Sequence, residues 1–171
     1  MDPMSPEWVD TLLHAYATHD RVTRFLLEGL EEAAWRAEPE GGRDIASIVA
    51  HMHNVRVMWL KAAKVETIPE QLDRHTLTRE QALAGLAASR DAMLALLRTA
   101  LLTTGKVKSS PPDVAHFLAY QIGHDAHHRG QICMLARQLG HKLPKAVEFG
   151  MWEYGKRANE VELSPAGMES T

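Results

Sequence analysis

The sequence predicts an all-α protein, a four-helix bundle. Two observations carry this. Four long segments, at about residues 6–30, 44–64, 78–102 and 111–139, space their apolar residues three and four apart, the period of a helix. Helix start and stop chemistry brackets each of them, and no segment alternates with the two-residue period of a strand. A length of 171 residues suits one domain spanning 1–171.

The first segment opens on Ser5-Pro6-Glu7. This is a capping hydroxyl, a proline in the first turn and an acid at the positive end of the helix dipole. Trp8, Leu12, Ala15, Tyr16, His19, Val22, Leu26 and Leu30 form its apolar stripe. His14, Tyr16 and His19 lie along this helix as packing or surface residues. Pro39-Glu40-Gly41-Gly42 breaks the chain, and Asp44 caps the second helix. Ile48, His51, Val55, Met58, Trp59 and Ala62 are its inward stripe, with Arg56, Lys61 and Lys64 on a solvated face.

Residues 65–77 carry Pro69 and mixed polarity and read as a loop. Thr78-Arg79-Glu80-Gln81 has the form of a capping box and starts the third helix. Leu83, Leu86, Ala87, Leu94, Leu97 and Leu101 are its buried stripe, and Thr103-Thr104-Gly105 ends it. The fourth helix is expected to start with Ser110 as cap and Pro111 in the first turn, and to stop at Gly140 and Pro144. Trp152 and Tyr154 belong to a short segment of one or two turns lying on the bundle. Met1 to Met4 are expected to fray, and the tail from about Leu163 to be mobile.

Composition narrows the partners. Hydrophobic residues make up 45% and charged residues 24%, with a net charge of −3. Lys and Arg are scattered, so no nucleic-acid partner is expected through a general electrostatic footprint. The one cysteine, Cys133, excludes an internal disulfide and suits a reducing compartment. It points away from the histidines of its helix and reads as a small, partly buried thiol. No signal-peptide pattern opens the chain, and no apolar run reaches the ~20 residues of a membrane span. The expectation is a cytoplasmic protein without a membrane partner.

The chemistry concentrates in His124-Asp125-Ala126-His127-His128-Arg129-Gly130-Gln131-Ile132. A helix turns by roughly 100° per residue, so His124 and His128 share a face. Phe117, Ile132, Leu135 and Leu139 share it with them. Buried imidazoles need partners, because an unsatisfied buried polar group costs roughly 1–3 kcal/mol. The spacing alone fits two core histidines bonded to other helices as well as it fits a metal site. Their place on the apolar stripe, and the third inward histidine, His51, favour a metal. His53 lies about 200° round the helix from His51, which makes it a surface or interface residue. Asp125 is a candidate partner for a ligand or, alternatively, a solvated acid. Gln131 lies near the His124 azimuth and could bond a ligand or a metal-bound water. Gly130, costing roughly 1 kcal/mol in a helix, implies close approach of a neighbouring helix or chain.

Two motifs resemble the DinB family, the DinB/YfiT-like metalloenzymes. One is Ala50-His51-Met52-His53-Asn54-Val55-Arg56-Val57-Met58-Trp59-Leu60. The other is the run from His124 to Ile132, followed by Leu135, Arg137, Gln138, Leu139 and Gly140. The resemblance covers about Trp8 to Pro144. It implies a bundle in up-down-down-up order and a divalent metal, zinc or nickel, held by His51, His124 and His128. It also implies a homodimer and, from related families, transfer of a low-molecular-weight thiol to a small electrophile.

Three functional readings follow. A metal site with three imidazoles keeps a position open, as catalytic sites do, which suits thiol transfer. The His124-to-His128 spacing also echoes the zinc helix of metallohydrolases, with Asp125 where those enzymes have Glu. The third reading is a non-catalytic metal-binding module. No catalytic residue beyond the metal is assigned.

Overall fold

The computed structural model describes residues 5–110 and 112–163. Among them the protein is all-helical. The expectations for Met1 to Met4, for Pro111 and for the tail beyond Leu163 fall outside the described residues.

Four long helices build the bundle: α1 (Pro6–Glu28), α3 (Ile45–Ala63), α4 (Arg79–Leu102) and α5 (Val114–Gln138). Between α1 and α3 lies one turn, α2 (Glu32–Trp35), and two short helices follow the bundle, α6 (Lys145–Gly150) and α7 (Tyr154–Asn159). The terminal chemistry explains most boundaries. Asp44 accepts from Ser47 N and starts α3, and Thr78 and Gln81 form the reciprocal capping box of α4. Gly140, at φ +86°, turns the chain out of α5, and His141 N bonds back to Ala136 O.

One start differs in its capping bond and one in its position. Ser5 is the cap of α1, but its hydroxyl makes no capping bond. The cap of α5 is Asp113, whose carboxylate accepts from His116 N, so this helix begins three residues later than expected. Serine and aspartate cap about equally well, and the position falls to Asp113.

Each of α1 and α3 packs against both α4 and α5. Arg98 reaches Asp10 while Arg79 reaches Leu30 O, so α1 and α4 are antiparallel. His53 meets Gly85 while Arg56 meets Leu86 O and Ser89, so α3 and α4 are parallel. His51 faces His128 while Trp59 faces Phe117, so α3 and α5 are antiparallel. Taken in chain order, the four long helices run up, down, down, up.

The core is two apolar clusters with a polar layer between them. One gathers Leu26, Leu27, Ile45, Val49, Met52 and Ile132 at the end holding α2. The other gathers Leu13, Tyr16, Leu60, Met93, Leu97 and Phe117. At the heights between lie buried Asp20, Thr23, Arg56, Ser89 and Asp125.

This layer corrects the expected phase of α3. Met58 is exposed and His51, Val55, Trp59 and Ala62 are half-buried, while Val49, Met52, His53, Arg56, Val57 and Leu60 are buried. The expected stripe is the edge of α3 beside α5, and the core face lies about one residue further round. Arg56 and His53 belong to the core face, so the expected solvated and surface positions are wrong for both. The reason is polar satisfaction. His53 Nδ1 lies 2.9 Å from Gly85 O and Nε2 2.8 Å from Glu70 O, so the one N–H of the neutral ring has an acceptor in either tautomer, and a buried polar group so partnered is tolerated.

The return from α3 to α4 must run back along the bundle, because the two helices are parallel. Residues 64–78 make it, and α3 holds them. Asn54 donates to Leu72 O and accepts from Leu72 N, at 3.0 and 2.9 Å. On α4, a Cβ at Gly85 would come within 2.8 Å of Leu72 Cδ1, so glycine lets the crossover lie close.

Candidate metal centre

Three imidazoles converge where the polar layer meets the α3–α5 edge. His124 and His128 sit one turn apart on α5, and His51 projects from antiparallel α3. Their potential ligand nitrogens all lie within 4.8 Å of one another. His124 Nε2 is 3.2 Å from His128 Nε2 and 3.4 Å from His51 Nε2.

The hydrogen bonds around the rings decide what these nitrogens present. His128 Nδ1 donates to Gln131 Oε1 at 2.7 Å. His124 Nδ1 lies 3.5 Å from Asp125 Oδ1. A neutral imidazole with its proton on Nδ1 turns a lone pair outward at Nε2. With both protons on Nδ1, the two Nε2 lone pairs, 3.2 Å apart, would converge on a cation. Nitrogens bound tetrahedrally at about 2.0–2.1 Å from a zinc ion are roughly 3.4 Å apart. The donor set fits a divalent metal ion.

For His51 and His128, electrostatics favours the neutral, ligand form. Burial lowers the pKa of His51, and His128 and His124 lower it further. Burial also lowers that of His128, against the opposing bond to Gln131. Neutral rings are what metal binding requires.

Asp125 is fully buried, not solvated. Burial pushes its carboxyl up, but Arg56 and the bond with His124 overcome this and hold it well below the usual carboxylate range. Arg56 is its anchor. Nη2 bonds Asp125 Oδ2 at 2.5 Å, and Nη1 bonds Asp20 Oδ1 at 2.8 Å and Leu86 O at 3.2 Å. One guanidinium thus links all four long helices immediately behind His124. Sequence reasoning missed Arg56. Its signal was the phase of Val49, Met52, Val57 and Leu60, which puts residue 56 inward.

His127 and Gly130 are exposed on α5, outside the cluster. A Cβ at Gly130 would meet nothing within 4 Å, so no neighbouring helix among the described residues explains this glycine. Cys133 is half-buried and also outside the cluster, with burial pushing its thiol up.

Two cavities flank the imidazoles. One of about 700 Å³ has His128, Gln131, Arg43 and Glu40 in its walls. The other, about 310 Å³, lies between His51 and the crossover residues Leu72 to His75, with Arg43 again at its edge. The cluster is thus reachable from outside, as a site that takes a small molecule must be.

Fold and site together define a helical bundle with a three-histidine cluster able to coordinate a metal ion. The chain belongs to the DinB family, whose model matches residues 4–154. No curated protein matches it. No described helix is long and apolar enough to cross a membrane.

Proposed function

We propose that this protein is a metal-dependent enzyme transferring a low-molecular-weight thiol to a small electrophile. The observation that carries the reading is the convergence of three imidazoles beside two open cavities. His51, His124 and His128 would hold the ion, zinc or nickel. Once bound, it would supply Lewis acidity and deprotonate a coordinated thiol or water. Gln131 holds His128 in its ligand tautomer, and Asp125 faces the distal nitrogen of His124.

The preference for a thiol rests on the poverty of protein bases. Asp125 is committed to Arg56 and holds no proton readily. Glu40, on the exposed 39–42 turn, is the one carboxylate in the walls of the larger cavity, and in the smaller one Asp73 accepts from His75 N and Thr76 Oγ1 while His75 Nε2 accepts from Arg74. A thiol deprotonated on binding needs no such base.

The test is to incubate metal-loaded protein with an epoxide or haloarene and a panel of small thiols, following conjugate formation. Conjugation should exceed that of the His124→Ala variant. Metal-dependent ester or amide cleavage without conjugation would make the protein a hydrolase. Neither activity would make it a metal-binding module.

A further inference from the structure

Arg129 on α5 is a half-buried cation with no ion-pair partner among the described residues. Its Nη1 lies 2.9 Å from His19 Nε2 and 3.1 Å from Thr23 Oγ1. The other contacts of that nitrogen are His19 Nδ1 and His19 O. All are neutral groups, since burial and the guanidinium itself pull His19 down to about 4. A cation withdrawn from water without a counter-charge is costly.

This guanidinium borders a cavity of about 600 Å³ between the outer face of α5 and the segment carrying α6 and α7. The volume is that of small-molecule sites. Val22, Leu143, Met151 and Trp152 supply apolar wall. Arg137 and Lys142 add positive charge at the edge, against the single acid Glu148. The floor opens at Gly130, where no atom would meet a Cβ. Met134 separates this cavity from the one beside His128 and lines both.

We propose that this cavity is a second binding site, for a small amphipathic carboxylate. Its aliphatic chain lies against Met151 and Trp152, and its carboxylate takes the free donors of Arg129. A chain of this kind explains the apolar wall and the surplus of cations together. A second copy of the protein fits less well, because a two-fold contact centred here would set the same positive surplus against itself. The site is separate from the imidazole cluster and does not depend on the proposed reaction.

Calorimetric titration of the full chain with decanoate, and with decanol as the uncharged analogue, tests this. One decanoate per chain should bind at least about tenfold more tightly than decanol, as a charge-assisted bond implies. Arg129→Gln should bring decanoate to the affinity of decanol and leave decanol unchanged. Gly130→Trp should fill the cavity and abolish both. Should that variant fail to fold, Ala126→Phe enters the same space from a neighbouring wall position. His124→Ala should bind both as before. Equal affinity for the two probes would overturn the proposal, as would undiminished binding in the filled variants. Loss of decanoate in His124→Ala would place the carboxylate on the imidazoles instead. A lower sedimentation mass in Gly130→Trp, with no binding by the unsubstituted chain, would make this face an interface between copies.

Discussion

Arg56 and Asp125 form an ion pair from which water is excluded, with neither side chain exposed at all. Together with Asp20 they place a charged triad at the centre of the bundle. Desolvating three charges is offset only while all three stay paired. Arg56→Met should therefore cost roughly 3–5 kcal/mol, the range for breaking a buried pair. Urea unfolding measures it, and a loss below about 1 kcal/mol would contradict the pairing.

The same triad touches the metal centre through Asp125 and His124. Asp125→Asn should weaken binding of a divalent ion by about 10–100-fold, as should Gln131→Leu. His51→Ala, His124→Ala and His128→Ala should each abolish tight binding of one ion per chain, and His127→Ala should not. Elemental analysis of protein purified without chelator or nickel resin reads the stoichiometry. Retention of full affinity by the His51 variant would remove α3 from the site.

His53 gives a contrasting outcome. Its ring lies between two backbone carbonyls, donating its N–H to one of them, and touches none of the three histidines. His53→Ala should lose roughly 1–3 kcal/mol of stability while keeping its metal. Loss of metal in a variant that still shows the native near-ultraviolet dichroism would contradict this.

Acid should destabilise the fold partly through His19. Burial and Arg129 lower its pKa from 6.5 to about 4. Above 6.5 neither folded nor unfolded chain protonates it, and its neutral form contributes fully. As pH falls from 6.5 to 4 the unfolded chain takes up a proton that the fold refuses, so stability declines. The decline through this group amounts to roughly 3 kcal/mol and ends below about 4. Unfolding free energies of the unsubstituted chain and of His19→Gln, measured across that window, should converge as pH falls. Parallel curves would show that His19 titrates normally.

Asn54→Ala should release the crossover without disturbing the four long helices. Hydrogen exchange at the Leu72 amide, bonded to Asn54 Oδ1, should quicken selectively. Unchanged protection there would mean that packing against Gly85 suffices.

The four long helices were legible because their apolar periods and caps are strong local signals, as at Asp44 and Thr78. The fourth start was misplaced because Ser110-Pro111 and Asp113 both offer cap chemistry and only tertiary fit chooses. The convergence of His51 with His124 and His128 was legible from placement and from the motifs. The charged layer was not. Arg56 was assigned to water, and Asp125 left between a ligand's partner and a solvated acid, because each alone would be prohibitive in a core; only their mutual pairing across 69 residues makes burial tolerable. His53 failed for a related reason: its acceptors are backbone carbonyls, which leave no trace in residue identity.

The long return between α3 and α4 has a consequence for how such a protein can diversify. Bundle core and imidazoles are built by the helices, whereas Leu72 to His75 supply one wall of the cavity beside His51. Asn54 and Gly85 fasten the crossover at Leu72, and the adjoining side chains Asp73, Arg74 and His75 are exposed and outside both apolar clusters. Selection can therefore exchange those three positions like a cassette, altering which molecules are admitted while the ligand set and the apolar clusters stay untouched. New specificities in this architecture are cheapest to acquire there.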